Sequence, residues 1–156
     1  MRVFKIIFLI LFLLISGIDT FAADADENSA KEFFRDYVEL GENFDTSIAN
    51  LYLDSAIIRN LRRYPNGSEK SMQLTGAQWK ALITKVMPVA KARGDKSTFS
   101  RIIISIDGKQ AKIKANRYSN IKCYTDTGYF MIIERQPDSK YKIVEEYMES
   151  QPNSDC

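Results

Sequence analysis

The chain has 156 residues, which is enough for one domain with a hydrophobic core of its own. Its net charge is only +2, from 22 basic and 20 acidic side chains, so the composition gives no electrostatic case for a nucleic-acid partner. The chain contains no histidine and two cysteines. This composition excludes a Cys–His catalytic pair and does not resemble a zinc site, so no metal and no cofactor are expected.

Residues 1–22 have the pattern of a secretory signal peptide. Arg2 and Lys5 form a basic start, an apolar run follows, and small residues surround Ala22. The apolar run is shorter than the ~20 residues that a membrane-spanning helix needs. We therefore expect a periplasmic or secreted protein that is cleaved near Ala22, with an uncleaved N-terminal anchor as the alternative. The short acidic segment 23–28 predicts a disordered linker.

The two cysteines, Cys123 and Cys156, are far apart in the sequence. In an exported protein such a pair is predicted to form a disulfide. The bond would tie the C-terminal tail, residues 150–156, to the strand that carries Cys123. Two free thiols are the alternative.

The predicted elements follow the order of an α+β domain. They are helices at 30–41 and 44–53, a hairpin of strands at 56–64 and 71–74, a helix at 76–93, and strands at 99–106, 109–124, 129–136 and 140–148. Capping boxes begin two of the helices, at Ser29 with Glu32 and at Thr75 with Gln78. Pro88 lacks a backbone donor, so a kink or break is expected near it. This order predicts a curved, mostly antiparallel sheet with helices packed on one side.

Three segments resemble the nuclear transport factor 2-like superfamily, which includes SnoaL-like polyketide cyclases and ketosteroid isomerase. They are the Leu-Tyr-Leu-Asp step at 51–54, the helix at 75–93 and the ending Tyr-Lys-Ile-Val-Glu-Glu at 141–146. The resemblance covers residues 28–149, and we place the domain at 29–149. It implies a conical half-barrel with an apolar cavity between sheet and helices. Many members are enzymes that use a carboxylate or a histidine there, and others bind ligands, dimerise or serve secretion machines, so the fold alone does not choose a function.

The strand at 109–124 raises the question of where Arg117 points. The alternation that places Ala111 and Ala115 on one face also places Arg117 there, where a charge is costly unless it is paired. Either Arg117 points into the cavity and meets an anionic ligand or a carboxylate, or a β-bulge turns it to solvent. On the last strand, Glu145 shares a face with Ile143, and it is the predicted partner of an inward Arg117 if that face is the concave one.

Further candidates follow from position. Arg59, Trp79 and Tyr118 are candidates for the cavity lining, together with Arg117 and Glu145. Asp54 follows the Leu-Tyr step, and it and Glu145 are the candidates for a general base. The structural alternatives are a turn cap for Asp54, an ion pair for the charged groups and core packing for the aromatic ones.

The missing histidine, the lack of an evident acid–base pair and the signal-peptide pattern together favour an exported, non-enzymatic domain. Its partner would be a small apolar or anionic ligand or a protein, and it could form a homodimer. The first alternative is an isomerase-like or cyclase-like enzyme, with Asp54 or Glu145 as base and Arg117 or a tyrosine as the polarising group. The second is a component of a secretion system or of toxin immunity.

Overall fold

The computed structural model describes residues 18–152, with side chains from residue 26 onward. The elements are α1 (Ile18–Glu42), a 3-10 helix (Thr46–Leu51), β1 (Tyr52–Arg63), β2 (Glu69–Thr75), α2 (Gly76–Arg93), β3 (Ser97–Asp107), β4 (Gln110–Ser119), β5 (Tyr124–Asp126), β6 (Phe130–Arg135) and β7 (Tyr141–Ser150). No helix within residues 18–152 is long and apolar enough to cross a membrane. Most of the predicted signal peptide lies outside the described residues.

Seven strands within residues 18–152 form one open sheet in the order β2-β1-β7-β6-β4-β3, and the short β5 pairs with β4. Neighbouring strands are antiparallel, except that β1 and β7 are parallel. The helices cover one face, where Phe34, Ile48 and Ile83 join Ile113 and Ile143 of the sheet in one core. The predicted α+β fold with a mostly antiparallel curved sheet is therefore confirmed.

The first helix is longer than predicted. α1 runs through residues 23–28, where a disordered linker was predicted. Two contacts account for the difference. Lys31 pairs with Glu27 one turn earlier at 2.6 Å, and Arg135 of β6 pairs with Asp26. The first contact supports the helix locally, and the second ties its N-terminal part to the sheet.

The helix α2 has the predicted start and end. The Thr75 hydroxyl accepts from the Gln78 backbone N–H, the Gln78 side chain accepts from the Thr75 N–H, and Gly94 ends the helix in the left-handed conformation. The helix continues through Pro88, so the predicted break does not occur. Packing and two good caps stabilise a helix more than one lost hydrogen bond destabilises it. Ile83 supplies that packing in the core.

The strand predicted at 109–124 is shorter, because β4 ends at Ser119. A turn follows, and β5 folds back to pair with the end of β4. Cys123 lies in this turn with a φ of 48°, rather than on the strand. Cys156 lies outside the described residues, so the disulfide between the two cysteines stays a prediction.

Candidate functional site

A buried carboxylate, Glu146 of β7, lies in the centre of the fold and has no solvent exposure. Among the described residues, three tyrosine hydroxyls donate to it. Tyr37 of α1 and Tyr129 donate to Oε1, each at 2.8 Å, and Tyr52 of β1 donates to Oε2 at 2.6 Å. A buried charge is tolerated only when it is paired or hydrogen-bonded, and these three bonds meet that requirement. The cluster therefore joins α1 to β1, to β7 and to the residue that precedes β6.

The tyrosines of this cluster stay protonated. Burial, and after it the negative charge of Glu146, raises the pKa of Tyr37, Tyr52 and Tyr129 well above the usual value for tyrosine. Each hydroxyl therefore remains a hydrogen-bond donor throughout the physiological pH range. The cluster acts as a fixed structural unit and offers no ready proton acceptor among its hydroxyls.

Glu146 was not among the predicted site residues, because a β-bulge changes the register of β7. Ile132 of β6 pairs with Glu145, but the next residue, Ile133, pairs with Ile143. Val144 is thus the extra residue of the bulge. Before the bulge Ile143 points inward, and after it Glu146 does. No feature of the sequence marks the bulge.

The same bulge places Glu145 on the other face of the sheet. Its carboxylate lies 2.6 Å from Arg59 of the neighbouring strand β1. The prediction that Glu145 is the partner of an inward Arg117 was therefore wrong. Strict alternation along the strand, on which that prediction depended, does not hold through Val144.

A cavity of about 190 Å³ opens between the helices and the sheet, beside the tyrosine cluster. Its walls come from α1, the 3-10 helix, the start of β1, α2, β3 and β4. They are mostly apolar, and their charged residues are Glu42, Asp95 and Arg117. The apolar side chains of the wall include Phe44, Ile48, Trp79, Ile83, Val86 and Phe99. Tyr37 and Tyr52 also line it, so the cavity and the cluster around Glu146 share two side chains.

Arg117 lines this cavity. The alternation of β4 holds up to this residue, which pairs with Phe99 of β3 on one side and Asp126 of β5 on the other. Its side chain is only 17% exposed. The guanidinium Nη2 donates to the Glu149 carbonyl at 3.0 Å, and the guanidinium lies 5.7 Å from the centre of the Tyr129 ring. Of the two alternatives that the sequence left open for Arg117, the structure has the inward one.

The carboxylate nearest to Arg117 is Asp126, which was not predicted. Asp126 Oδ2 lies 3.6 Å from Arg117 Nη2, and Asp126 has no solvent exposure. Its oxygens accept from two backbone amides, Gly128 at 2.9 Å and Glu149 at 2.7 Å. Asp126 lies in an Asp-Thr-Gly sequence that predicts a turn, and only the return of β5 to β4 brings it beside Arg117.

Burial by itself acts in opposite directions on the pKa values of Arg117 and Asp126. Burial by itself would lower the pKa of Arg117, but the charge of Asp126 and the neighbouring tyrosines outweigh it, and the pKa is raised. For Asp126, burial raises the pKa against the opposing effects of the Glu149 amide and Arg117. The guanidinium therefore stays charged at the edge of the cavity.

Two buried donors in the described part of the chain lack a hydrogen-bond partner, and both belong to residues of this cavity. They are Arg117 Nε and Trp79 Nε1. The Trp79 indole lies near the Tyr52 hydroxyl and opposes the rise in the pKa of Tyr52, but it does not reach hydrogen-bond geometry. An unsatisfied buried donor costs ~1–3 kcal/mol, which an acceptor placed in the cavity would recover.

Comparison with solved structures identifies the fold. A nuclear transport factor 2-like protein of unknown function from Pseudomonas putida superposes with a TM-score of 0.62 at 11% identity, covering 81% of this chain and 87% of that one. A second such protein, from Shewanella oneidensis, has a TM-score of 0.60 at 13% identity, with 80% and 98% covered. The chain has the nuclear transport factor 2-like fold. No family profile matches the sequence, and no curated protein is similar to it in sequence.

Among the similar structures, some proteins with the nuclear transport factor 2-like fold have a suggested role. A candidate dehydratase from Streptomyces avermitilis has a TM-score of 0.54 at 13% identity, covering 81% of this chain and 97% of that one. Identities this low establish the fold and leave the function to the site. The cavity between sheet and helices, which the resemblance implied, is present in this chain.

Four of the other predicted site residues lie outside the cavity. Arg59 and Glu145 form their ion pair away from it, and Tyr118 is 38% exposed. The Asp54 side chain is 79% exposed, and its carboxylate accepts from Lys80 Nζ at 2.7 Å. Neither Asp54 nor Glu145 is therefore placed to act on a group in the cavity. Of the predicted lining residues, the structure brings Trp79 and Arg117 together.

A larger depression of about 580 Å³ lies between α1 and β3. Its charged side chains are solvent-exposed, and Lys31 and Arg35 pair with carboxylates of their own helix. It contains neither of the two unpartnered donors of the described residues. Within the same part of the chain, no group of three histidine, cysteine, aspartate or glutamate side chains could hold a metal ion. The smaller cavity beside Arg117 is therefore the candidate site.

Proposed function

We propose that this protein is a non-enzymatic binding domain that holds a small ligand in the cavity beside Arg117. The observation that carries the proposal is the pair of buried donors, Arg117 Nε and Trp79 Nε1, in a cavity with mostly apolar walls. The other charged residues of the lining, Glu42 and Asp95, are solvent-exposed. Apolar walls with a few convergent polar groups are typical of small-molecule sites. A ligand acceptor at this point would satisfy groups that the protein leaves without partners.

The two buried carboxylates argue against catalysis. Glu146 accepts from three tyrosines, and Asp126 accepts from two backbone amides and lies beside Arg117. Neither residue lines the cavity, and the two carboxylates that do, Glu42 and Asp95, are solvent-exposed. A general base must come within hydrogen-bond reach of the proton that it removes, and the chain contains no histidine that could serve instead.

The intrinsic fluorescence of the protein offers a direct test, because Trp79 is the only tryptophan in the chain and lines the cavity. A panel of small apolar compounds is titrated against the full chain. We expect a saturable change in Trp79 emission with at least one compound. A panel that leaves the emission unchanged would contradict the proposal.

Two valines of α2 provide a matched pair of variants. Val86 lines the cavity and is 44% exposed, whereas Val89 is 51% exposed and does not line it. Val86→Phe would narrow the mouth of the cavity and abolish the saturable change. Val89→Phe would leave it intact. Equal binding by the two variants would place the ligand elsewhere and overturn the assignment of the site.

An exported location belongs to the same proposal and is supported by the pattern of residues 1–22. Cell fractionation and N-terminal sequencing test it, with a mature chain expected to begin near Ala23. A full-length chain in the cytoplasm would contradict it. Association with a protein partner or with a second copy stays a prediction. A strict monomer in sedimentation equilibrium would contradict association with a second copy.

A further inference from the structure

The chemical class of the ligand can be inferred from the donors that line the cavity, on the condition that the proposed binding function holds. Arg117 presents a planar, permanently charged group to the cavity. One of its nitrogens, Nη2, already donates to the Glu149 carbonyl at 3.0 Å. Its Nε is buried and has no partner. This Nε is therefore a donor that is both charged and desolvated.

Asp126 does not satisfy this donor. Its nearest contact with Arg117 is the 3.6 Å separation between Oδ2 and Nη2, which is longer than a hydrogen bond. Its oxygens are engaged by the amides of Gly128 and Glu149. Asp126 thus contributes charge at a distance and leaves Nε of Arg117 free to bind a second acceptor.

The other buried carboxylate is separated from Arg117 by an aromatic ring. The guanidinium lies 5.7 Å from the centre of the Tyr129 ring, while the hydroxyl at the far end of that ring donates to Glu146. Three hydroxyl bonds already stabilise the charge of Glu146. An anion in the cavity would therefore face the guanidinium directly and Glu146 only through Tyr129 and its hydroxyl. The two carboxylates of the lining, Glu42 and Asp95, are solvent-exposed, so water and salt screen their repulsion of the anion.

The size of the cavity limits the rest of the ligand. At about 190 Å³ it is smaller than the ~300–1,000 Å³ of common ligand pockets. Its walls offer aromatic faces from Phe99 and Trp79 and aliphatic groups from Ile48 and Ile83. These dimensions and surfaces fit one ring or a short branched chain.

We infer that the ligand is a small apolar carboxylic acid, bound as its carboxylate. One carboxylate oxygen accepts from Arg117 Nε, Trp79 Nε1 supplies a second donor, and the ring or chain packs between Phe99 and Ile83. A carboxylate carries a full negative charge opposite the guanidinium, so it gains a Coulombic attraction at a buried site that a neutral acceptor lacks. The site therefore selects an acid over the amide or alcohol of the same shape.

Benzoate and benzamide test this inference, because they share one ring and differ in charge. Calorimetric titration of the full chain at neutral pH is expected to show benzoate binding at least about tenfold more tightly than benzamide. Val86→Phe is expected to weaken both, since it narrows the cavity itself. Val89→Phe serves as the control that binds like the original chain.

The variants Arg117→Lys and Trp79→Phe then test whether the carboxylate binds at these two donors. Lysine keeps the positive charge but lacks the Nε donor, so benzoate is expected to weaken about tenfold while benzamide changes little. Trp79→Phe keeps an aromatic face and removes the indole N–H, with a smaller loss for benzoate. Circular dichroism checks that both variants fold. If Arg117→Lys does not fold, Trp79→Phe and the benzoate–benzamide ratio of the original chain decide the question.

The outcomes separate this inference from the proposed function. Equal affinity for benzoate and benzamide, with binding lost in Val86→Phe, would contradict the inference that the ligand is a carboxylic acid. The proposed binding function would still hold in that case. Benzoate binding that survives in both Val86→Phe and Arg117→Lys would also overturn the inference, because the acid would then lie outside the cavity. Failure of every compound, charged and neutral, would overturn the proposed function as well.

Discussion

The hydroxyl of Tyr52 donates a 2.6 Å hydrogen bond to Glu146 Oε2, and it links the start of β1 to the middle of the parallel strand β7. Both side chains are almost fully buried. This contact closes a cluster in which Tyr37 and Tyr129 occupy the other carboxylate oxygen. Four separate segments of the chain therefore meet at one carboxylate, and its loss would affect all of them.

Glu146→Gln tests the contribution of the charge. The amide keeps the shape but replaces one accepting oxygen by a donor, so at least one tyrosine hydroxyl loses a charge-assisted bond. We expect the free energy of unfolding in urea to fall by about 2 kcal/mol. Glu145→Gln is the matched control on the adjacent residue, whose ion pair with Arg59 is partly exposed and contributes at most ~1 kcal/mol. Equal losses for the two variants would contradict the central role of Glu146.

The cluster also predicts a loss of stability at alkaline pH. The pKa values of Tyr37, Tyr52 and Tyr129 are raised in the folded protein, whereas unfolded tyrosine titrates near ~10. A raised folded pKa contributes stability that is fully present below the unfolded value and is lost as the pH rises above it. Each such tyrosine therefore lowers the free energy of unfolding by about 1.4 kcal/mol per pH unit above that point.

Tyrosinate absorbance and circular dichroism, followed together from neutral to alkaline pH, check this prediction. The tyrosinate absorbance of the three buried tyrosines is expected to appear only as the protein unfolds. Tyr52→Phe should make the alkaline loss of stability less steep, and Tyr118→Phe, at an exposed position, should not. Complete ionisation of all tyrosines with unchanged circular dichroism would show that the folded protein does not raise the pKa values of these three tyrosines.

Gly76 marks a close approach between α2 and β1. A Cβ atom at this position would lie 1.8 Å from the Leu53 carbonyl oxygen, which is backbone and cannot move away independently. We expect Gly76→Ala to lower the free energy of unfolding by ~3 kcal/mol or more. In Gly41→Ala the new Cβ has ordinary contact with Ile48, 3.8 Å away, and alanine favours the helix, so stability is expected to be unchanged or higher. Similar stabilities for the two variants would refute the close approach.

The predicted disulfide between Cys123 and Cys156 is tested by alkylation of the denatured, unreduced protein. We expect neither cysteine to be labelled in protein taken from an oxidising compartment, and both to be labelled after reduction. Cys123→Ser would then cost about 2–4 kcal/mol of stability under oxidising conditions and nothing under reducing ones. Labelling of both cysteines without reduction would establish two free thiols.

Much of the fold was predictable from local sequence. The limits of α2 follow from the Thr75–Gln78 capping box and from Gly94, because caps are decided by side chains within one turn of the helix end. The inward direction of Arg117 was one of two alternatives from the sequence. It holds because the irregularity of this strand pair lies in β3, between Ser100 and Ile103, while β4 keeps its alternation. Trp79 was also predicted as a lining residue, and it lies in the cavity.

The centre of the site was not predictable in the same way. Alternation along β7 favoured Glu145, and the bulge at Val144 turned Glu146 inward instead. Asp126 lies beside Arg117 only because the turn after β4 returns the chain as β5. A single inserted residue in a strand and the return of a distant segment are decided by packing against neighbouring strands, and neither leaves a local pattern.

The sequence by itself therefore determined most of the elements and their order, and it left two alternatives for the direction of Arg117. Tertiary structure alone decided which carboxylates are buried, that three tyrosines meet Glu146, and that Arg117 Nε and Trp79 Nε1 are left without partners. The physical reason is the distance along the chain between the residues that interact. Helix caps and strand alternation depend on neighbours in the chain, whereas the burial and hydrogen bonding of a charged group depend on what the whole fold brings beside it.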